Sequence, residues 1–83
     1  MDEQTEPRLM ARIPGQIIAG GSRMLPNPET DTEDYRDVRL DVQGVGVVRV
    51  TYERRLYRHY KMQHRSWLAV GAELLQKPDP AQV

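Results

Sequence analysis

The side chains most able to do chemistry in this chain form a row of basic residues. Arg54, Arg58, Lys61 and Arg65 follow one another at intervals of four, three and four positions. On an α-helix, that spacing places all four side chains close to one line. Like charges four residues apart destabilise an isolated helix, and no acidic residue lies between these four. The spacing therefore predicts a helix face that is stabilised when it binds an anion.

Nucleic acid is the first partner that this row predicts, because phosphates repeat along its backbone. Arg55 lies next to the row and completes the predicted nucleic-acid-binding set. Arg49 and His59 are placed to assist it, and Tyr52 and Tyr57 are close enough to stack on the bases of a single strand. Two alternatives remain open. The same residues suit an acidic protein surface, as in an inhibitor or accessory subunit, or they form a face that is only solvated or covered by the chain's own acidic segment.

Composition limits the other functions that this chain could have. It has 83 residues, no cysteine, and 12 acidic against 12 basic residues. One small domain is expected, and the absence of cysteine excludes disulfide scaffolds, thiolate metal sites and cysteine nucleophiles. The charge is unevenly distributed: residues 1–37 carry eight acidic and four basic residues, whereas residues 38–83 carry four acidic and eight basic ones. The basic half is therefore where an anionic partner is expected.

No arrangement of residues in the sequence points to catalysis. His59 and His64 are five positions apart, so on a helix they point in different directions and cannot hold one metal ion. The acidic residues near position 31 lack the pattern of a calcium-binding loop. We therefore expect a binding protein rather than an enzyme, with no cofactor and no metal. The acidic start of the chain and the absence of a long apolar run predict a cytoplasmic protein that does not enter a membrane.

A β-hairpin is the clearest structural prediction. Hydrophobic residues alternate with polar ones from Val38 to Gln43 and again from Val48 to Tyr52, and Gly44-Val45-Gly46 lies between the two runs. This pattern is typical of two antiparallel strands joined by a tight turn, over about residues 38–52. The dipeptide Pro14-Gly15 favours a turn, with one or two further strands around it.

The period changes after the hairpin. Five hydrophobic residues cluster on one side of a helix if residues 53–76 are helical, and we expect them to form the core or a dimer contact: Leu56, Tyr60, Trp67, Val70 and Leu74. No proline interrupts this run before Pro78. The sequence predicts one amphipathic helix, with two shorter helices separated near residues 61–65 as the alternative.

The predicted fold is a small α+β domain in which an antiparallel sheet is followed by one long C-terminal helix. Residues 1–7 and 78–83 are expected to be disordered tails, and residues 26–37 an acidic mobile loop with two prolines. The remaining residues number about 55, a size at which a single core is marginal, so we expect a homodimer.

A strand followed by helix resembles the ribbon–helix–helix repressors in outline. That resemblance implies a dimeric DNA-binding protein with two helices after the strand. Residues 53–76 contain no turn marked by Gly or Asn before Gly71, so this architecture is kept as an alternative.

Overall fold

The computed structural model describes residues 7–78 as a three-stranded antiparallel sheet with two short helices on one of its faces. The helices are α1 (Pro7–Ala11) and α2 (Gly15–Ser22), and the strands are β1 (Tyr35–Val42), β2 (Gly46–His59) and β3 (Met62–Gln76). The strand order is β1-β2-β3, so the chain forms two consecutive hairpins that share β2.

The first hairpin confirms the prediction for residues 38–52. Val38 pairs with Val50 and Leu40 with Val48, and the pairing extends to Tyr35 opposite Glu53. Two glycines in the turn have positive φ angles, 81° at Gly44 and 122° at Gly46, which side chains rarely tolerate. The Gly-x-Gly motif is therefore a geometric requirement of this turn.

The hydrophobic core lies between the helices and one face of the sheet. Its buried residues come from α1, from the segment after α1, from the turn between β1 and β2, and from the face of the sheet that the helices cover. They are Leu9, Ile13, Val38, Val42, Val45, Val48, Val50, Tyr52 and Ala72. Because one face of a strand is made of every second residue, Val48, Val50 and Tyr52 all point toward the helices. Alternation along β1 and β2 therefore reflects real one-sided burial.

Residues 7–11 and 15–22 form helices, so the predicted N-terminal strands are wrong. Leu9 of α1 and Ile13 between the helices are buried in the core, and Ile17 of α2 packs against it. Pro14 lies between the helices, and its carbonyl accepts a hydrogen bond from the Ile17 N–H at 2.9 Å. The proline thus separates two helices instead of forming a turn between two strands.

The long C-terminal helix is also wrong, and with it the predicted α+β class. Residues 53–76 belong to the second half of β2, the Tyr60–Lys61 turn and all of β3. Their pairing runs without interruption from Arg54 opposite Trp67 to His59 opposite Met62. Backbone pairing between the strands has overridden the helical propensity of Leu, Arg, Gln and Glu in this stretch.

The predicted apolar stripe is consequently not a core. Tyr60 is 95% exposed, Val70 44% and Leu56 38%, so these three residues are mostly outside the core. Trp67 and Leu74 are half-buried and pack against its edge. Burial follows the alternation of a β-strand and not a helical period. The even-numbered residues of β2 up to position 52 face the core, and so do the β3 residues that pair with them.

The segment between α2 and β1 comprises residues 23–34, so the last three residues of the predicted loop, 35–37, belong to β1 instead. The expected tails lie outside the described residues, apart from Pro7, the first residue of α1, and Pro78. Within residues 7–78 no helix follows β1, so the ribbon–helix–helix arrangement is not present. No helix in this part of the chain is long and apolar enough to cross a membrane.

Candidate nucleic-acid interface

A two-stranded arm extends from the sheet beyond the end of β1. The last pair between β1 and β2 is Tyr35 with Glu53, and after it β2 pairs with β3 alone. We call residues 54–65 the ribbon arm. At about 3.4 Å per residue, its six residues of β2 span about 20 Å. The arm contributes to the elongated form of the molecule, which measures 52 × 26 × 20 Å.

The ribbon arm has a strongly positive composition. It contains all five residues predicted to bind nucleic acid, Arg54, Arg55, Arg58, Lys61 and Arg65, and no aspartate or glutamate. The positive region predicted from sequence therefore exists as a continuous segment, although it is a β-ribbon and not a helix face. A ribbon presents these charges on two faces and a tip.

The register of the arm determines which charges act together. Arg58 lies on the face that continues the core side of the sheet, where Leu56 is directly opposite Arg65. Arg55 alternates to the other face, and Lys61 is in the turn. The arm thus brings Arg58 and Arg65 to one face, with Arg58 in the second pair from the turn and Arg65 in the fourth, while Lys61 lies at the tip and Arg55 on the opposite face.

Arg54 is not available to a partner in the way that the sequence suggested. Its side chain is 15% exposed and its Nε donates a hydrogen bond to the Glu33 carbonyl at 2.9 Å. Its Nη1 reaches the Pro28 carbonyl at 3.5 Å, and its Nη2 lies 3.8 Å from Asp34 Oδ1. Arg54 therefore holds the acidic segment, residues 26–34, against the base of the arm. Contact between the basic row and this segment was one of the alternatives that the sequence left open.

The neighbouring arginines are also partly paired. Arg55 Nη2 lies 2.9 Å from Glu53 Oε1, with half of its side chain still exposed, and Arg49 forms an ion pair with Glu73 on the same face of the sheet. By contrast, the side chains of Arg58, Lys61 and Arg65 form no ion pair with any residue between 7 and 78. These three are the cations that remain for a partner.

The acidic segment packs beside the base of the arm. A Glu29 Oε2 atom accepts a hydrogen bond from the Arg65 backbone N–H at 2.8 Å, and the Trp67 indole donates one to the Pro26 carbonyl at 2.9 Å. Asp31 instead pairs with Arg36, and hydrogen bonding from that guanidinium lowers the pKa of Asp31 to about 2. The segment has fixed partners at the arm's base and leaves the outer half of the arm uncovered.

Aromatic and apolar residues accompany the charges on the arm. Tyr57 stacks on His64 across the two strands, with ring centroids 5.6 Å apart. Tyr60 and Met62 are the most exposed of these residues, and they lie at and beside the turn. Sequence reasoning placed Tyr60 in the core and overlooked Met62. Tyr52, expected to stack on bases, is instead a core residue whose hydroxyl donates to the Ile18 carbonyl at 2.6 Å.

No group of three or more histidine, cysteine, aspartate or glutamate side chains in the described chain is arranged to hold a metal ion. Comparison of the whole chain with models of known protein families, with curated proteins and with solved structures found no match. The geometry and charge of the ribbon arm are therefore the features of this chain that indicate a function.

Proposed function

We propose that this chain is a non-enzymatic binding protein and that the ribbon arm binds nucleic acid, with double-stranded DNA as the first candidate. One observation carries the proposal: the arm has five basic residues and no acidic one, and three of its cations have no ion-pair partner among residues 7–78. Positive charges concentrated in one segment repel one another, and an anion bound beside them relieves that repulsion.

The shape of the arm supports a duplex partner. The major groove of DNA is about 12 Å wide and admits a two-stranded β-ribbon. A ribbon inserted there passes between two phosphate backbones, so cations on its faces and tip reach phosphates without requiring a particular base sequence. Arg58, Arg65 and Lys61 are distributed in this way.

The test is a fluorescence-anisotropy titration with labelled duplex and single-stranded DNA at low and at physiological salt. We expect wild-type protein to bind the duplex, and the triple variant Arg58→Gln/Lys61→Gln/Arg65→Gln to lose most of that binding. A matched control is the triple variant that replaces the exposed arginines at positions 8, 12 and 23, since it removes the same net charge from outside the arm. No wild-type binding at low salt would refute the proposal.

An acidic protein surface remains the second candidate, because Tyr60 and Met62 add exposed apolar area to the same positive tip. Aromatic residues, methionine and arginine are enriched at protein interfaces. A protein partner is favoured if the arm binds neither form of DNA. The predicted homodimer and cytoplasmic location also stay predictions, and light scattering of the purified chain measures the first directly.

A further inference from the structure

The turn at the tip of the ribbon arm has an unusual backbone. Residues 60 and 61 connect the strands, and the flanking residues His59 and Met62 are paired. Tyr60 is the one non-glycine residue between positions 7 and 78 with a positive φ angle, 56°. Positive φ angles in tight hairpins favour Gly, Asn or Asp, and a bulky side chain is an outlier there.

The packing at the tip gives no structural reason for a tyrosine at this position. The Tyr60 side chain is 95% exposed, and its ring forms an edge-to-face pair with the His59 ring, with centroids 4.6 Å apart. Met62, on the other side of the turn, is 75% exposed. Strained backbone conformations of this kind are concentrated at functional sites.

The surroundings of Tyr60 indicate what its ring would contact. Lys61 follows it directly, and Arg58 is two positions before it on β2. An exposed aromatic ring at the tip of the arm, with cations beside it, suits a ligand that has a flat apolar surface next to an anionic backbone. A nucleic-acid base with its own phosphate has this combination, and stacking on an aromatic ring requires no particular base.

We propose that Tyr60 stacks on a base whose face is accessible, so that the protein prefers nucleic acid with an unpaired base over a fully paired duplex. This inference rests on the proposed function, because the cations of the arm must first bring the phosphate backbone to the tip. The base becomes accessible at a bulge, at a mismatch or in a single strand, where little or no unstacking is needed.

Two variants of Tyr60 test the role of the ring. Tyr60→Phe keeps the ring, whereas Tyr60→Asn removes it and places a residue suited to the positive φ angle, so the turn itself should form at least as well. Tyr35→Asn is the control, because it removes another exposed tyrosine ring at the first position of β1, outside the arm.

The measurement compares the affinity for a short labelled duplex with the affinity for the same duplex carrying a single unpaired adenine. We expect wild type, Tyr60→Phe and Tyr35→Asn to prefer the bulged duplex about 10-fold, the change that one base–aromatic stack produces. Tyr60→Asn should lose this preference and keep its affinity for the perfect duplex.

The outcomes separate this inference from the proposed function. If wild type binds both duplexes equally and Tyr60→Asn behaves like wild type, the stacking role is refuted while nucleic-acid binding stands. Loss of the preference in Tyr60→Phe as well would also refute it, since the ring would then not be what the base contacts. If wild type binds neither duplex, the proposed function itself fails.

Discussion

Replacing Gly21 with alanine tests how closely α2 packs on the sheet. A Cβ atom at this position would overlap the Tyr52 hydroxyl and would lie 3.3 Å from Leu40 Cδ1. The Tyr52 ring is 1% exposed, so it cannot move aside into solvent. Gly20, the preceding residue in the same helix, has no atom within 4 Å of the corresponding position. The two glycines therefore form a matched pair in one helix.

The expected changes in unfolding free energy have opposite signs. Alanine is favoured over glycine in a helix by about 1 kcal/mol, so Gly20→Ala should stabilise the protein by up to about that amount. Gly21→Ala should gain the same stabilisation from the higher helix propensity of alanine, but overpacking against Tyr52 should cost about 1–3 kcal/mol. It loses about 1–3 kcal/mol more if the displaced Tyr52 hydroxyl no longer reaches the Ile18 carbonyl. We expect a net destabilisation of about 3 kcal/mol.

Urea unfolding followed by circular dichroism and by Trp67 fluorescence measures both variants. The Tyr52→Phe background provides the decisive control, because removal of the hydroxyl removes the overlap, and Gly21→Ala should cost less there than in wild type. The packing described for α2 would be refuted if Gly21→Ala and Gly20→Ala had equal stability, or if Tyr52→Phe left the cost of Gly21→Ala unchanged.

Two further predictions concern charged side chains. Arg54→Gln should lower the unfolding free energy by about 1–2 kcal/mol, because it removes the hydrogen bonds of a largely buried guanidinium to the Glu33 and Pro28 carbonyls, whereas Arg58→Gln should change it by less than about 0.5 kcal/mol; equal effects in thermal unfolding would contradict the different roles assigned to them. The pKa of Asp31 is lowered from 3.8 to about 2 by Arg36, so its ion pair stabilises the fold above pH 3.8 and this contribution is lost as the pH falls from 3.8 through about 2. Asp31→Asn should therefore be less stable than wild type at neutral pH, and the difference should shrink steadily as the pH falls through this range; a difference that stays constant would contradict the pairing.

The first hairpin could be predicted from the sequence because one of its faces is buried. Val48, Val50 and Tyr52 alternate with polar residues since they enter the core, and Gly44 and Gly46 mark the turn. A strand with one buried face has a hydrophobic residue at every second position of its sequence. That signal is local, so no knowledge of the rest of the chain is needed.

The ribbon arm gave no such signal because both of its faces are in solvent. Without a buried face, no alternation of apolar and polar residues is required, and the chance spacing of Leu56, Tyr60 and Trp67 matched a helix instead. The turn at Tyr60 and Lys61 also lacks the glycine or asparagine that usually identifies a hairpin. Pairing with β2, a tertiary interaction, determines the structure of this region.

The candidate site was predictable in composition but not in detail. The basic character of residues 54–65 is evident from the sequence and does not depend on secondary structure. Whether each cation is free depends on contacts distant in sequence, such as those of Arg54 with Glu33 and Asp34. The exposure of Tyr60 likewise follows from its position at the end of a β-ribbon. The helical prediction placed this residue on a buried stripe and therefore gave no indication of its exposure.

The salt dependence of duplex binding tests the central claim most directly. Each phosphate contact adds about 0.9 to the slope of the logarithm of the binding constant against the logarithm of salt concentration. If the outer arm contacts phosphates, the triple variant Arg58→Gln/Lys61→Gln/Arg65→Gln should reduce the steepness of that slope by about 2–3 relative to wild type. The variant of equal charge at positions 8, 12 and 23 should keep the wild-type slope. An arm variant with an unchanged slope, or two variants with the same reduced slope, would contradict binding by the ribbon arm.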